Sequence, residues 1–458
     1  MLMPSLDTSI ANVSLPSLGA IFAAPFQSVQ WVVLSYLLTI TSLIVGAGRL
    51  GDLIGRRRLL LVGILIFTAA SLACGLAPTL PLLIAARGLQ GLGAAIMMAL
   101  TVALVSGTVP KERTGRAMGL LGTMSAVGTS LGPSLGGLIV AHADWRFIFL
   151  INVPLGLLNW GLAAHALPRD VNRARDAALP SPAADVKKPR FDPWGTLLLA
   201  ATLGAYALAM TVGEGAFGAG NVALLAAAVL GMLAFIATER RVAAPLLRLS
   251  LFRREGLSLS LALTLIVAAV VMGTFVVGPF YLSAGLGLSA GAVGLTMSAG
   301  PLMSALAGVP AGRLVDRFGA RRMMLQGLIG MVLGLAALCS APMLFGVAGY
   351  VGAIMLTTSH YALFQAANNT GIMHGVGADE RGLVSGMLSL ARNLGLVTGA
   401  ALLGAIFAYG AGGRVTDGID PAAITHGLRL AFGSVGTVLC LGLVAALLPR
   451  RPKASTRD

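Results

Sequence analysis

Long apolar runs alternate with short polar turns along almost the whole chain. Fourteen runs are long enough to cross a bilayer, near 2–22, 29–50, 58–77, 80–107, 117–141, 145–167, 194–213, 222–241, 257–283, 290–311, 322–340, 344–369, 383–409 and 425–448. One crossing needs about 20 apolar residues in a helix. The pattern therefore predicts an all-α integral membrane protein with fourteen spans. Segment 168–193 breaks the rhythm with prolines at 168, 180, 182, 189 and 193 and many charges, and reads as a cytoplasmic linker. Segment 242–256 reads as a cytoplasmic connector lying on the membrane surface, and 449–458 as a cytoplasmic tail. The pair of spans within 194–241 is rich in Ala and Leu, and is expected to face lipid at the side of the core with no buried charge.

Composition agrees with this plan. The chain is 57% hydrophobic and 11% charged, against roughly 25% charged in soluble domains. Its first apolar run is followed by further spans and not by a polar domain, so it reads as a span and not as a cleaved leader. The net charge of +15 suggests nucleic acid until its placement is considered. With the N-terminus assigned inside, most of the 32 basic residues fall in inner loops, in clusters such as Arg49–Arg58, Lys187–Arg190, Arg313–Arg322 and Arg450–Arg457. Outer loops keep only Arg146, Arg414 and Arg429. This bias places both termini in the cytoplasm and implies contact with anionic lipid, with no nucleic-acid partner. Cys74, Cys339 and Cys440 lie in spans without disulfide or metal spacing. No G-x4-G-K-[ST] loop for nucleotide phosphates occurs. No cofactor or metal is expected.

Two motifs repeat. Gly48-Arg49-Leu50-Gly51-Asp52 with Gly55-Arg56-Arg57-Arg58 follows the second span, and Gly312-Arg313-Leu314-Val315-Asp316-Arg317 with Gly319-Ala320-Arg321-Arg322 is its counterpart. Asp52 and Asp316 can cap helices or pair with Arg56, Arg57, Arg317 and Arg321, latching neighbouring helices together. The second motif is Gly119-x8-Gly128-x3-Gly132-Pro133-x2-Gly136-Gly137 within 117–141. Glycines spaced by about four and eight share a helix face that a neighbour can approach closely, and Pro133 predicts a bend. Gly386-x8-Gly395-x3-Gly399 and Gly404 repeat the spacing, with Ala400 and Leu403 in place of the proline and one glycine. These echoes predict two six-helix halves, 1–167 and 257–448, joined through the extra pair at 194–241. Repeats of this kind support alternating access around a site near the midplane.

Few ionisable groups lie inside the spans. Asp7 is the one acid placed clearly within a span, and a carboxylate in lipid is a functional candidate by default. Arg87, with Gln90 one turn on, could pair with a carboxylate, orient water or fix packing through carbonyls. Arg392 could neutralise Asp7, bind an anionic group or snorkel; a permanent cation there would repel a cationic substrate. His360 titrates in the physiological range when unperturbed, and has Gln365, Asn368 and Asn369 on the same span. Soft and aromatic side chains suited to a pocket of varied shapes are Trp31, Tyr36, Met97, Met98, Met124, Phe275, Tyr281 and Phe364.

The glycine-proline run resembles the antiporter motif of the major facilitator superfamily. Leu6-Asp7-Thr8-Ser9-Ile10-Ala11-Asn12-Val13-Ser14-Leu15-Pro16 resembles the first-helix motif of its fourteen-spanning drug:proton antiporter family. Leu83-x3-Arg87-x2-Gln90-Gly91 and Asp144-Trp145-Arg146-Phe147-Ile148-Phe149-Leu150-Ile151-Asn152-Val153-Pro154 resemble its fourth- and sixth-helix motifs. The resemblance implies a monomeric multidrug exporter in the bacterial cytoplasmic membrane. It would move hydrophobic, cationic or amphiphilic drugs by alternating access, with the proton as coupling ion and Asp7 and Arg87 handling it. A dedicated exporter of one natural product, lipid or amphiphile, a symporter, and a non-transporting sensor or scaffold remain as alternatives. Three departures stand out. The lead-in before Asp7 is short, Leu53 stands where the loop motif often has a basic residue, and the later helices carry no deep acid.

Overall fold

The computed structural model describes residues 1–108, 111–167, 193–213, 218–241, 256–374, 381–412 and 420–448. Every regular element among them is helical. The linker at 168–193, apart from Pro193, the connector at 242–256, apart from Gly256, and the tail at 449–458 lie outside the described residues. Thirteen helices among the described residues are long and apolar enough to span a membrane. The expected first span is a rod broken at Ser14 into α1 (Leu2–Val13) and α2 (Leu15–Ile21). The Ser14 hydroxyl turns back onto the Ile10 carbonyl at 3.0 Å.

A short α3 (Phe26–Val29) leads into α4 (Trp31–Ile54), followed by α5 (Arg56–Leu76), α6 (Leu80–Thr108), α7 (Lys111–His142), α8 (Phe147–Leu150) and α9 (Asn152–Ala166). The extra pair is α10 (Pro193–Thr211) and α11 (Ala219–Arg241). The second half comprises α12 (Leu257–Phe280), α13 (Ala290–Phe318), α14 (Ala320–Leu338), α15 (Ala341–His374), α16 (Arg381–Thr398), α17 (Gly404–Gly410) and α18 (Pro421–Leu447). A π-turn at Tyr281–Gly285 extends α12, and another at Gly399–Leu403 joins α16 to α17. The repeated loops fold alike. Gly55 ends α4 at φ 101° and Gly319 ends α13 at φ 86°, a backbone region that side chains disfavour.

The glycine motifs also repeat in space. In the first half, α7 lies on α1: a Cβ on Gly128 would meet the Leu2 carbonyl at 2.6 Å, and one on Gly136 the Ile10 carbonyl at 3.1 Å. In the second half, α16 and the π-turn after it lie on α12 in the same way, with Gly395 against Leu265 and Gly399 against Ala269. At the last motif position each half reaches across to the other. Gly137 touches Ala290 and Gly294 of α13, and Gly404 touches Gln30 at the head of α4.

The extra pair faces outward with Trp194, Val229 and Leu230. Inward, Leu199, Leu203 and Phe235 cluster with Leu38 of the first half and Leu390 and Leu394 of the second. The expectation of no buried charge in this pair fails at Glu239, which is 3% exposed. It sits one turn beyond buried Phe235 and shares its inward stripe.

Candidate functional site

Asp7 sits in the middle of α1 and is 1% exposed. Arg87 of α6 donates from Nη1 to Asp7 Oδ2 at 2.5 Å. Gln90, one turn further, donates to Oδ1 at 2.8 Å, and Asn152 at the start of α9 donates to the same oxygen at 2.7 Å. Four helices are tied at this point, because Gln90 also donates to Ser71 of α5 at 2.8 Å. Arg87 is fully buried and donates from Nε to the Val32 carbonyl of α4 at 2.9 Å. Its guanidinium lies 4.2 Å from the Tyr36 ring centre. Of the roles open to Arg87, the structure therefore shows two together, pairing with a carboxylate and holding a backbone carbonyl. Each ion is isolated from solvent, so removing one partner leaves the other with an uncompensated buried charge.

The carboxylate is mechanically connected to α7. Ser5 and Ser9 stand on either side of Asp7 on α1. Ser5 Oγ bonds Ser125 Oγ at 2.6 Å, and Ser9 Oγ donates to the Gly128 carbonyl at 3.3 Å. The expected packed face at Gly128, Gly132 and Gly136 is observed; Pro133, where a bend was expected, lies inside a continuous α7. Gly119 lies outside the residues whose surroundings are described.

The two halves meet at the helix ends farthest from the arginine-rich loops. Gly137 lies against Gly294, and Ser134 Oγ bonds Ser298 Oγ at 2.6 Å. Phe26 sits edge-on to Phe280 and Phe407, with ring centres 4.6 and 5.5 Å away. The Gln30 amide donates to the Ala400 carbonyl. This seal closes one end of the molecule. On its arginine-rich side lie two connected cavities, of about 400 and 220 Å³, that share Tyr361, Gln365 and Arg392. The α7 wall is small and polar, with Gly122, Ser125, Ala126 and Thr129. The opposite wall carries Val271, Phe275, Met297 and Ile354.

Several expected site residues lie elsewhere. Arg392 does not neutralise Asp7; it is exposed in the cavity while Arg87 holds the carboxylate. Gln365 and Asn368 line the cavity, but His360 does not: its Nδ1 bonds the Leu356 carbonyl at 2.8 Å, and the ring packs on Gly330. Among the aromatic and methionine candidates only Phe275 and Phe364 line it. Trp31 donates to Thr211 of α10 at 3.1 Å, fastening the extra pair. Tyr36 lies beneath Arg87, and Tyr281 stacks on Tyr350. Met97 belongs to the core, Met98 packs against it, and Met124 is exposed outside the cavity lining. These side chains fill helix contacts because aromatic and methionine content alone does not say which face turns inward.

In the second of the repeated loops the latch expectation is revised. Asp316 and Arg321 are exposed, and Asp316 makes no ion pair among the described residues, while Arg317 stacks over Phe318. In the first loop Arg56 and Arg57 reach the Ala103 and Ala164 carbonyls at 2.8 and 2.6 Å. They brace α5 against the ends of α6 and α9. The Asp52 side chain lies outside the described residues. Asn152, Ser71, Thr358 and Tyr361 are site residues the sequence did not single out. Only Asn152 carried a signal, as part of the 144–154 motif.

The family model described as Major Facilitator Superfamily matches residues 1–278 and 259–458. Multidrug resistance protein Stp of Mycobacterium tuberculosis (strain CDC 1551 / Oshkosh) is 35% identical over 89% of this chain and 74% of its own length. Uncharacterized transporter YebQ of Escherichia coli (strain K12) is 34% identical over 88% of this chain and 85% of its own length. The xylose transporter XylE from E. coli, in a partially occluded inward open conformation, shares the fold at 15% identity, with a TM-score of 0.64 over 98% of this chain and 97% of that one. With this fold and these relatives the chain is a membrane transporter and not an enzyme, and it belongs to the Major Facilitator Superfamily, among transporters of the drug-efflux type.

Proposed function

We propose that this chain is a proton-coupled antiporter that exports hydrophobic, amphiphilic compounds from the bacterial cytoplasm by alternating access. The observation that carries the reading is the fully enclosed Asp7–Arg87 pair, placed on the helix that α7 grips. A proton arriving at Asp7 removes the charge that holds Arg87. The Gln90 and Asn152 amides then face a neutral acid, and α1 is released from α6. Because α1 and α7 interlock through Ser5, Ser9 and Gly132, α7 follows, and its far end carries the Gly137 seal.

The arginine-rich loops assign orientation by the positive-inside rule. On that reading both termini are cytoplasmic, the cavity opens to the cytoplasm, and the seal is the outer gate. The lining favours amphiphiles over cations, since among the described residues Arg392 is its one charged residue and no acid stands there. Three fluorescent compounds, ethidium, Nile red and fluorescein, can be offered to proteoliposomes with an acidic lumen. Uptake that collapses with a protonophore is expected for at least one of them. Flux of all three indifferent to the protonophore would refute coupling.

A further inference from the structure

The depth and company of Arg392 point to a narrower substrate class. Arg392 lies eleven positions into α16, about 16 Å along the helix at 1.5 Å per residue. An arginine at such depth is costly unless it faces water or a counter-charge. It is exposed to both cavities and has no ion-pair or hydrogen-bond partner among the described residues. Ser385, Ser389 and Arg392 fall at i, i+4 and i+7, which sets them on one face of α16. Across the cavity, Tyr361, Gln365 and Asn368 repeat that spacing on α15. Next to this polar pair of stripes, the larger cavity is lined by Val271, Phe275, Met297 and Ile354.

We propose that Arg392 anchors the anionic group of an amphiphilic organic acid, such as a carboxylate or sulfonate, whose apolar body fills the larger cavity. This deepens the export reading and rests on it for direction of movement, but not for binding. A planar guanidinium binds a carboxylate through two parallel hydrogen bonds, which an ammonium or amide ligand cannot accept. The Ser389 and Gln365 side chains border the same space and can complete the anion's hydrogen bonds.

The test uses calorimetric titration of the purified full-length protein in neutral detergent with three matched ligands: naphthylbutyrate, naphthylbutyramide and naphthylbutylammonium. The carboxylate should bind about tenfold or more tighter than the ammonium. Arg392→Gln should abolish that preference, and Arg392→Lys should keep part of it. Displacement of naphthylbutyrate by short-chain phosphatidylglycerol would identify a lipid headgroup as the source of the anion; no displacement would identify a soluble organic acid. Both results support the anion class. Equal or tighter binding of the ammonium by the wild type overturns the proposal, as does binding of none of the three, or a preference unchanged in Arg392→Gln. If Arg392→Gln fails to fold, the wild-type ranking still decides. Proton-driven flux alongside an ammonium preference would sink this inference alone. A carboxylate preference without any proton-driven flux would sink the export reading alone.

Discussion

Placing one methyl group at Gly137 should open the seal. An added Cβ would stand 2.7 Å from the Ala290 carbonyl oxygen, 2.8 Å from Gly294 Cα and 3.1 Å from Gly294 N, against 3.4–4 Å for ordinary contact. All three are backbone atoms, so no side chain can rotate aside. The helices must separate locally, and the Ser134–Ser298 hydrogen bond stretches with them. Overpacking of this kind costs about 1–3 kcal/mol. Since that cost falls only on the state in which α7 and α13 touch, Gly137→Ala should shift the closed-to-open ratio by about 5- to 150-fold. Gly294→Ala, which meets the Pro133 carbonyl at 2.4 Å, should act in the same direction. The assay is a spin-label distance distribution between cysteines introduced at exposed Ala143 and Ala284, which flank the seal from opposite halves. A longer-distance population should grow in both variants. Gly161→Ala, with nothing within 4 Å of its Cβ, is the control. Unchanged distances in Gly137→Ala and Gly294→Ala would refute the reasoning that this contact is the gate.

Further outcomes follow from the same contacts. Arg87→Ala leaves Asp7 charged, buried and unpaired, a loss of about 3–5 kcal/mol, so its thermal midpoint in detergent should fall clearly below that of Asn152→Ala, which removes one donor at about 1–3 kcal/mol; equal midpoints would contradict the pairing. Gly132→Ala should impair transport nearly as much as Gly132→Val, because even its Cβ falls 1.8 Å from Ser9 Oγ and 2.7 Å from Ser9 Cβ; wild-type flux in the alanine variant would mean that α1 and α7 can separate freely. If the substrate is an organic anion exchanged for a proton, each turnover moves two positive charges inward, each worth about 2.3 kcal/mol per 100 mV. A lumen-positive potassium diffusion potential should then speed naphthylbutyrate uptake into proteoliposomes, and a rate indifferent to potential would contradict that stoichiometry.

Much of the architecture was legible because lipid imposes one simple rule on every span. Run length gave the helices, and repeated glycine spacing gave a closely packed face on α7 and its echo on α16, but not that α1 and α12 are the helices they lie on. Asp7 and Arg87 were legible for the same reason, as charges where apolar residues are expected. Their direct pairing was not, since sequence spacing cannot say which of the two arginines within spans meets the acid. The cavity lining was the least legible part. Trp31, Tyr36 and Tyr281 have the chemistry of a drug pocket but spend it on helix contacts. Ser125, Thr358 and Tyr361 line the cavity without any local signal. Glu239 was missed because it lies near a helix end, where an acid is ordinarily solvated.

The central claim is that protonation of Asp7 drives export, and uphill uptake by Asp7→Asn tests it most directly. Asparagine mimics the protonated acid, a state the cycle itself visits. In proteoliposomes with an acidic lumen, naphthylbutyrate as a weak acid drifts passively towards the alkaline outside, so accumulation inside can come only from exchange for protons. Wild type should accumulate it against its gradient. Asp7→Asn should still exchange labelled for unlabelled compound at equal pH, yet accumulate none. Undiminished accumulation by Asp7→Asn would contradict the account.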